Sequence, residues 1–324
     1  MSALSDQLVT FAILAYLVAM ISHAVEYALG GARRGTAAAA PARELVGAGV
    51  GAAGGAEPPA TADAPPVRDR VAERGRLAGR IAVVVTALAA ALHLGALVTR
   101  GVAADRMPWG NMYEFVLTVT WIGVAAWLAV LVKRPALRQL GLFLTLVQVL
   151  LLAFAELKLY TEVVPLVPAL NSYWFIIHVS TIVFSSGILL LGVVPAVAFL
   201  MRNGYEQGRR SFPYTLAKRL PAAAALERLT FGLHAFSFPI FTFAVIAGAI
   251  WAEAAWGRAW GWDPKETWAF ISWVVYAGYL HARATPSVRR NVATWIAVLG
   301  FLTVLMNLFG VNFFFTGLHS YAGI

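Results

Sequence analysis

Apolar runs of about 20 residues alternate with short charged connections along this chain, and that alternation leaves few folds open to it. Such runs fall at about 8–30, 81–99, 112–132, 139–156, 173–200, 230–251, 266–282 and 291–315, and each is long enough to cross a bilayer. Inside lipid every backbone amide must be satisfied within its own segment, so all eight are expected to be helices. With 60% hydrophobic residues and a mean hydropathy of +0.72, the chain reads as an all-α polytopic membrane protein with about eight transmembrane helices. The first run lacks a short apolar stretch ending in an Ala-x-Ala cleavage site, so it reads as a retained helix and not a signal peptide.

Charge sets the orientation. The formal net charge is +9, and 20 of the 25 Lys and Arg lie in four segments, 31–80, 133–138, 201–229 and 283–290. The positive-inside rule places these four in the cytoplasm and both termini on the extracytoplasmic side. The other faces hold only Arg100, Arg106, Lys158, Arg258 and Lys265. The basic excess is therefore a topology signal, and no nucleic-acid role is expected. The chain has no cysteine, so any thiol chemistry must use a partner's sulfur.

Three regions are expected: a first transmembrane helix in 1–30, a flexible basic cytoplasmic linker over 31–76, and a seven-helix body over 77–324. The linker is rich in Ala, Gly and Pro and too poor in large apolar residues to bury a core. Residues 201–229 place Phe212, Tyr214, Leu216 and Leu220 among basic residues, which is the pattern of an amphipathic helix on the membrane surface. Asn111 and Glu114 fit a capping box; Asp263 and Glu266 fit another, with Pro264 at the first helical position. Ser172 is placed to cap the fifth run.

Between Trp251 and Trp268 lie five of the eleven tryptophans, Trp251, Trp256, Trp260, Trp262 and Trp268, at the outer end of the sixth run. Tryptophan collects at membrane interfaces in any case, but an ordinary aromatic belt is spread over many helix ends and this one is gathered in one loop. The alternative is a platform for a large planar ligand, with Arg258 and Lys265 placed to meet anionic groups. Asp263 and Glu266 serve first as helix caps on this reading.

Topology sorts the six histidines by depth. His178 lies ~9 Å along the fifth helix from Ser172, and His319 follows the eighth, so both share the outer rim with the tryptophan segment. His281 lies ~27 Å from Asp263 along one helix, at the cytoplasmic end. Packing is the plain reading of each of His23, His93 and His234. For His178 and His319 a second reading stands beside it, because two neutral imidazoles facing a planar aromatic pocket are a usual axial ligand set for haem iron.

Trp256-Gly257, Trp260 and Trp262-Asp263-Pro264-Lys265-Glu266 together resemble the "WWD" signature of haem-handling membrane proteins. Leu280-His281-Ala282-Arg283, Gly317-Leu318-His319-Ser320-Tyr321 and Trp109-Gly110-Asn111-Met112-Tyr113-Glu114-Phe115 are similar to the CcsA/ResC proteins of system II cytochrome c biogenesis. The resemblance covers most of 81–324. It implies haem b held outside by His178 and His319 over the 251–268 segment, with Trp251, Trp256, Trp260, Trp262, Asp263, Trp268, Arg258 and Lys265 around it. It also implies a second haem site near the cytoplasmic side, to which His281 gives one ligand and a CcsB/ResB-type membrane partner the other.

The activity so implied is that of a holocytochrome c synthase in the plasma (inner) membrane, active with its partner, presenting haem for thioether attachment to the Cys-x-x-Cys-His of apocytochrome c. Two other readings remain open on the sequence: a haem exporter without ligation activity, and a b-type membrane cytochrome carrying electrons.

Overall fold

The computed structural model describes residues 1–29, 67–164, 166 and 172–319, and among these there is no strand. The helices are α1 (Ser2–Leu29), α2 (Val67–Ala104), α3 (Met112–Lys133), α4 (Gly141–Phe154), α5 (Tyr173–Glu206), α6 (Ala223–Trp256), α7 (Pro264–Ala284), α8 (Arg290–Leu305) and the short α9 (Val311–Phe314). A 3₁₀ turn, Pro135–Leu140, leads into α4. Wider π turns, Ala155–Leu159 and Met306–Gly310, continue α4 and α8.

Among the described residues, seven helical stretches are long and apolar enough to cross a membrane, so this is a multi-pass membrane protein. The seventh expected run, 266–282, forms α7, which has 21 residues and so reaches ~31 Å, but it is too polar to count with the others. Its inward face explains why: Glu266, Ser272, Tyr276 and Tyr279 are all buried there against neighbouring helices.

α5 is the axis of the bundle, 78% buried along its most apolar stretch against 28–50% for the other six. On one side it meets a core of α1–α4 residues that includes Tyr16, Tyr113, Leu117 and Trp127. On the other, Leu189 packs with Phe241 of α6, Tyr276 and Tyr279 of α7 and Ala297 of α8. These two cores meet along α5, and one end of the seam opens into the site described below.

Two expectations need correction. α2 begins at Val67 and takes in residues 67–76, which the sequence reading gave to the linker; their Arg, Glu and Ala residues favour helix while the charged ones keep the stretch from being apolar, so a hydropathy pattern passes over them. Residue 30 and residues 31–66, the rest of that linker, lie outside the described residues. The second correction is in 201–229, where no surface helix forms: α5 runs on to Glu206, one 3₁₀ turn spans Tyr214–Arg219, and α6 starts at Ala223. Gly208, Pro213 and Pro221 break the pattern there. Arg202 and Arg219 donate to the carbonyls of Ala217 and Tyr27, tying that connection to α5 and α1.

Charges near the membrane are clamped in pairs. Glu114, fully buried, receives Arg100 Nε at 3.0 Å and Arg106 Nη1 at 2.6 Å, and its Oε2 accepts the Gly110 amide at 2.8 Å. Asn111 does cap α3, accepting the Glu114 amide at 2.9 Å. Glu114, however, spends its carboxylate on the two arginines and Gly110, so the expected reciprocal bond is replaced by an ion cluster. At the opposite end of the first helices Glu26 takes Arg138 at 2.6 Å.

Removing one member of a buried ion cluster strands the others. Glu114→Ala is therefore expected to destabilise the bundle by about 3–5 kcal/mol, read as a clear fall in the thermal midpoint of the detergent-solubilised protein; an unchanged midpoint would show that the cluster carries no such weight.

Candidate functional site

One cavity opens at the end of the bundle where α5, α6 and α7 meet the terminal segment. Its walls are α3 with the lip before it, α5, α6, the 257–263 loop, the start of α7, and the π turn after α8. Two histidines line it, His178 from α5 and His319 from the terminal segment. The two imidazoles that spacing placed at one depth thus line one cavity.

Each imidazole is fixed through Nδ1. His178 Nδ1 lies 2.8 Å from the Ala244 carbonyl on α6; a carbonyl only accepts, so Nδ1 carries the proton and, in the neutral ring, Nε2 carries the lone pair. His319 Nδ1 lies 2.9 Å from Asp263 Oδ1, and an ionised carboxylate imposes the same tautomer. The His178 ring fits against Gly248, where a Cβ would come within 2.7 Å of its Cε1. Glycine is required there by close approach.

Asp263 does three things at once. It caps α7 by accepting the Lys265 amide at 3.0 Å, and Glu266 returns the bond by accepting the Asp263 amide at 3.1 Å, with Pro264 at the first helical position. Its Oδ2 accepts the Leu318 amide at 2.7 Å, and its Oδ1 holds His319. Burial pushes the Asp263 carboxyl up, but the His319 and Leu318 hydrogen bonds, the His319 charge and the Lys265 amide outweigh it and hold it below its ordinary range. The stabilisation so gained is present above the ordinary carboxylate pKa and is lost as pH falls through the depressed one.

The tryptophans divide. Trp251 lies 5.8 Å from the His178 ring and Trp256 stands edge-on to His319 at 4.9 Å; both line the cavity, as does Trp260. Trp262 does not line it. Its backbone is left-handed, φ 58°, a conformation bulky L residues rarely take, and its indole is 64% exposed, against Trp260 and Phe270. Trp268 lies on α7 outside the lining, with its carbonyl accepting from Ser272. Of the two cations, Lys265 lines the cavity and its Nζ lies 3.4 Å from the Asn307 carbonyl; Arg258 instead folds over Gly261 in the loop. His281 is exposed at the far end of α7, away from this cavity, as its depth required. Ser320 and Tyr321 lie outside the described residues.

Sequence reasoning missed some wall residues. Trp109 and Asn111 come from the lip held by the Glu114 cluster, and the recognised 109–115 motif was their signal. Asn307 enters through the π turn Met306–Gly310, whose extra residue has no signature in hydropathy. Five polar atoms on lining residues are buried without a protein partner among the described residues: Trp109 Nε1, Asn111 Nδ2, Trp251 Nε1, Glu266 Oε1 and Asn307 Oδ1. Buried polar groups are nearly always satisfied, so a cavity with such walls fits a ligand that brings polar groups of its own. Aromatic walls, two oriented imidazole lone pairs and one ammonium suit a planar, metal-bearing, anionic ligand such as haem.

Residues 109–319 match the family described as Cytochrome C assembly protein. The chain is 35% identical over 239 residues to Cytochrome c biogenesis protein CcsA of Guillardia theta, covering 69% of this chain and 79% of that relative. It is 34% identical over 271 residues to the protein of that name from Trieres chinensis, covering 75% and 86%. Among solved structures, "Cytochrome c Heme Lyase CcmF" superposes with a TM-score of 0.58 at 15% identity over 95% of this chain, a likeness of fold; this chain spans 46% of that one.

Gly248→Val places branched carbons where His178 now sits. The expected cost is about 1–3 kcal/mol of overpacking, seen as a lowered thermal midpoint, together with displacement of His178 visible in its ring NMR resonances; resonances at wild-type positions would mean that α6 does not set this ring.

Proposed function

Because the chain belongs to the cytochrome c assembly protein family, whose role lies in cytochrome c maturation, we propose that it is the system II synthase component that receives haem and presents it at the extracytoplasmic face of the plasma (inner) membrane. One observation carries the reading: two imidazoles, each with Nδ1 already engaged, line a single aromatic-walled cavity at one end of the bundle. That arrangement leaves Nε2 of His178 and of His319 as the coordinating atoms for haem iron.

Bound haem b supplies the vinyl groups that thioether formation uses. Trp251, Trp256 and Trp260 would offer it apolar aromatic contact, and Lys265 would be the cation available to its carboxylates. The Cys-x-x-Cys-His segment of apocytochrome c brings both thiols. In each bond formed, sulfur joins one vinyl carbon and the thiol hydrogen ends on the other, so the step consumes no oxidant or reductant. A chain without cysteine cannot divert these thiols into disulfides with itself. Its contribution is to position haem and shield it from solvent while the peptide docks.

The exposed His281, at the inner end of α7, fits a second haem site completed by a CcsB/ResB-type membrane partner, from which haem passes outward. Arg283, which pairs with Glu227 beside it, is structural on this view.

The test is co-expression with that partner and an apocytochrome c. His178→Ala, His319→Ala and His281→Ala should each lower covalent haem in the cytochrome by more than about tenfold, with added imidazole restoring it. Normal holocytochrome in all three without imidazole would refute the site. Haem bound by the wild type with no covalent product would point to export or electron transfer.

A further inference from the structure

The two imidazoles are held by unlike groups. His178 donates to a neutral backbone carbonyl, Ala244 O at 2.8 Å, whereas His319 donates to the buried, ionised carboxylate of Asp263 at 2.9 Å. A hydrogen bond from a ring N–H to a carboxylate draws the proton away from the ring and leaves more electron density on the opposite nitrogen; a peptide carbonyl does this far less. The carboxylate is itself well anchored, since the Lys265 and Leu318 amides hold its two oxygens. It is also brought close by Gly317, where a Cβ would lie 2.4 Å from Asp263 Oδ2.

Resting on the axial assignment above, we infer that Asp263 is a positioning residue acting through His319, which makes the bond from His319 to haem iron the stronger of the two and lowers the reduction potential of the bound haem. The motif's aspartate is then more than a helix cap. It couples the start of α7 to the terminal histidine, so the segment that supplies the tryptophans also sets the donor strength of one ligand. A stronger donor favours the ferric state, because added electron density stabilises the higher charge on iron.

Two variants separate this from a merely structural role. Asp263→Asn keeps an N-cap of equal quality while removing the charge and one of the two acceptor oxygens. Gly317→Ala leaves every charge in place and pushes the terminal segment off the carboxylate. The measurements use purified, haem-loaded full-length protein: the midpoint potential, the visible spectrum, haem affinity, and the ring ¹⁵N shifts of His319 in the protein without haem. Both variants should shift the potential upward and weaken haem binding ~10–100-fold. Asp263→Glu should recover part of both, and the Nδ1–H signature of His319 should weaken in Asp263→Asn.

If both variants load haem with a bis-imidazole spectrum at the wild-type potential, the inference is overturned and the axial assignment stands. If His319→Ala keeps the wild-type spectrum, the axial assignment falls and takes the inference with it.

Discussion

In hydrocarbon neither a peptide amide nor a charge finds a partner in the solvent, so each must find one within the protein. The described chain meets this with helices throughout and with carboxylates at helix ends that gather several donors each. Glu114 fastens the ends of α2 and α3 through Arg100 and Arg106, Glu26 ties α1 to the turn before α4 through Arg138, and Asp263 ties α7 to the terminal segment. The lip that carries Trp109 and the segment that carries His319 are ordered by these clusters. Without Glu114 and Asp263 the cavity would have neither its lip nor its second imidazole.

The cavity lies where two cores meet along α5, a helix that both sides bury. His178 rides on that central helix and is pressed against α6 at Gly248, so its place follows from the packing of the bundle. His319 belongs to no long helix, and its place follows from hydrogen bonds to one carboxylate. A rigid side and a tethered side thus face each other across the same space. That division suits the role proposed above, in which the site would grip a large flat molecule and later surrender it to a protein substrate.

Much of this was legible in the sequence because it rests on local chemistry. Apolar length marked the membrane helices, Ser172, Asn111 and Asp263 were readable as caps, and depth along a helix sorted His178 and His319 from His281. What stayed hidden has a common cause: it depends on backbone geometry that composition does not encode. Trp262 turns outward on a left-handed residue, so a tryptophan in the middle of the motif leaves the cavity. α7 fell short as an apolar span because its polar residues face inward, which a hydropathy average cannot distinguish from polar residues facing water. Asn307 reaches the wall only because the helix widens there.

That widening has a further consequence. A π turn holds one residue more than an α turn, and one residue is worth about 100° of rotation about the helix axis. Everything beyond Met306–Gly310, including α9 and the strand of chain that ends in His319, is therefore phased by that single extra residue. Length between α8 and the terminal histidine is consequently not a neutral spacer: losing one residue from the turn would swing the whole terminus around the bundle, carrying the imidazole away from the carboxylate that holds it.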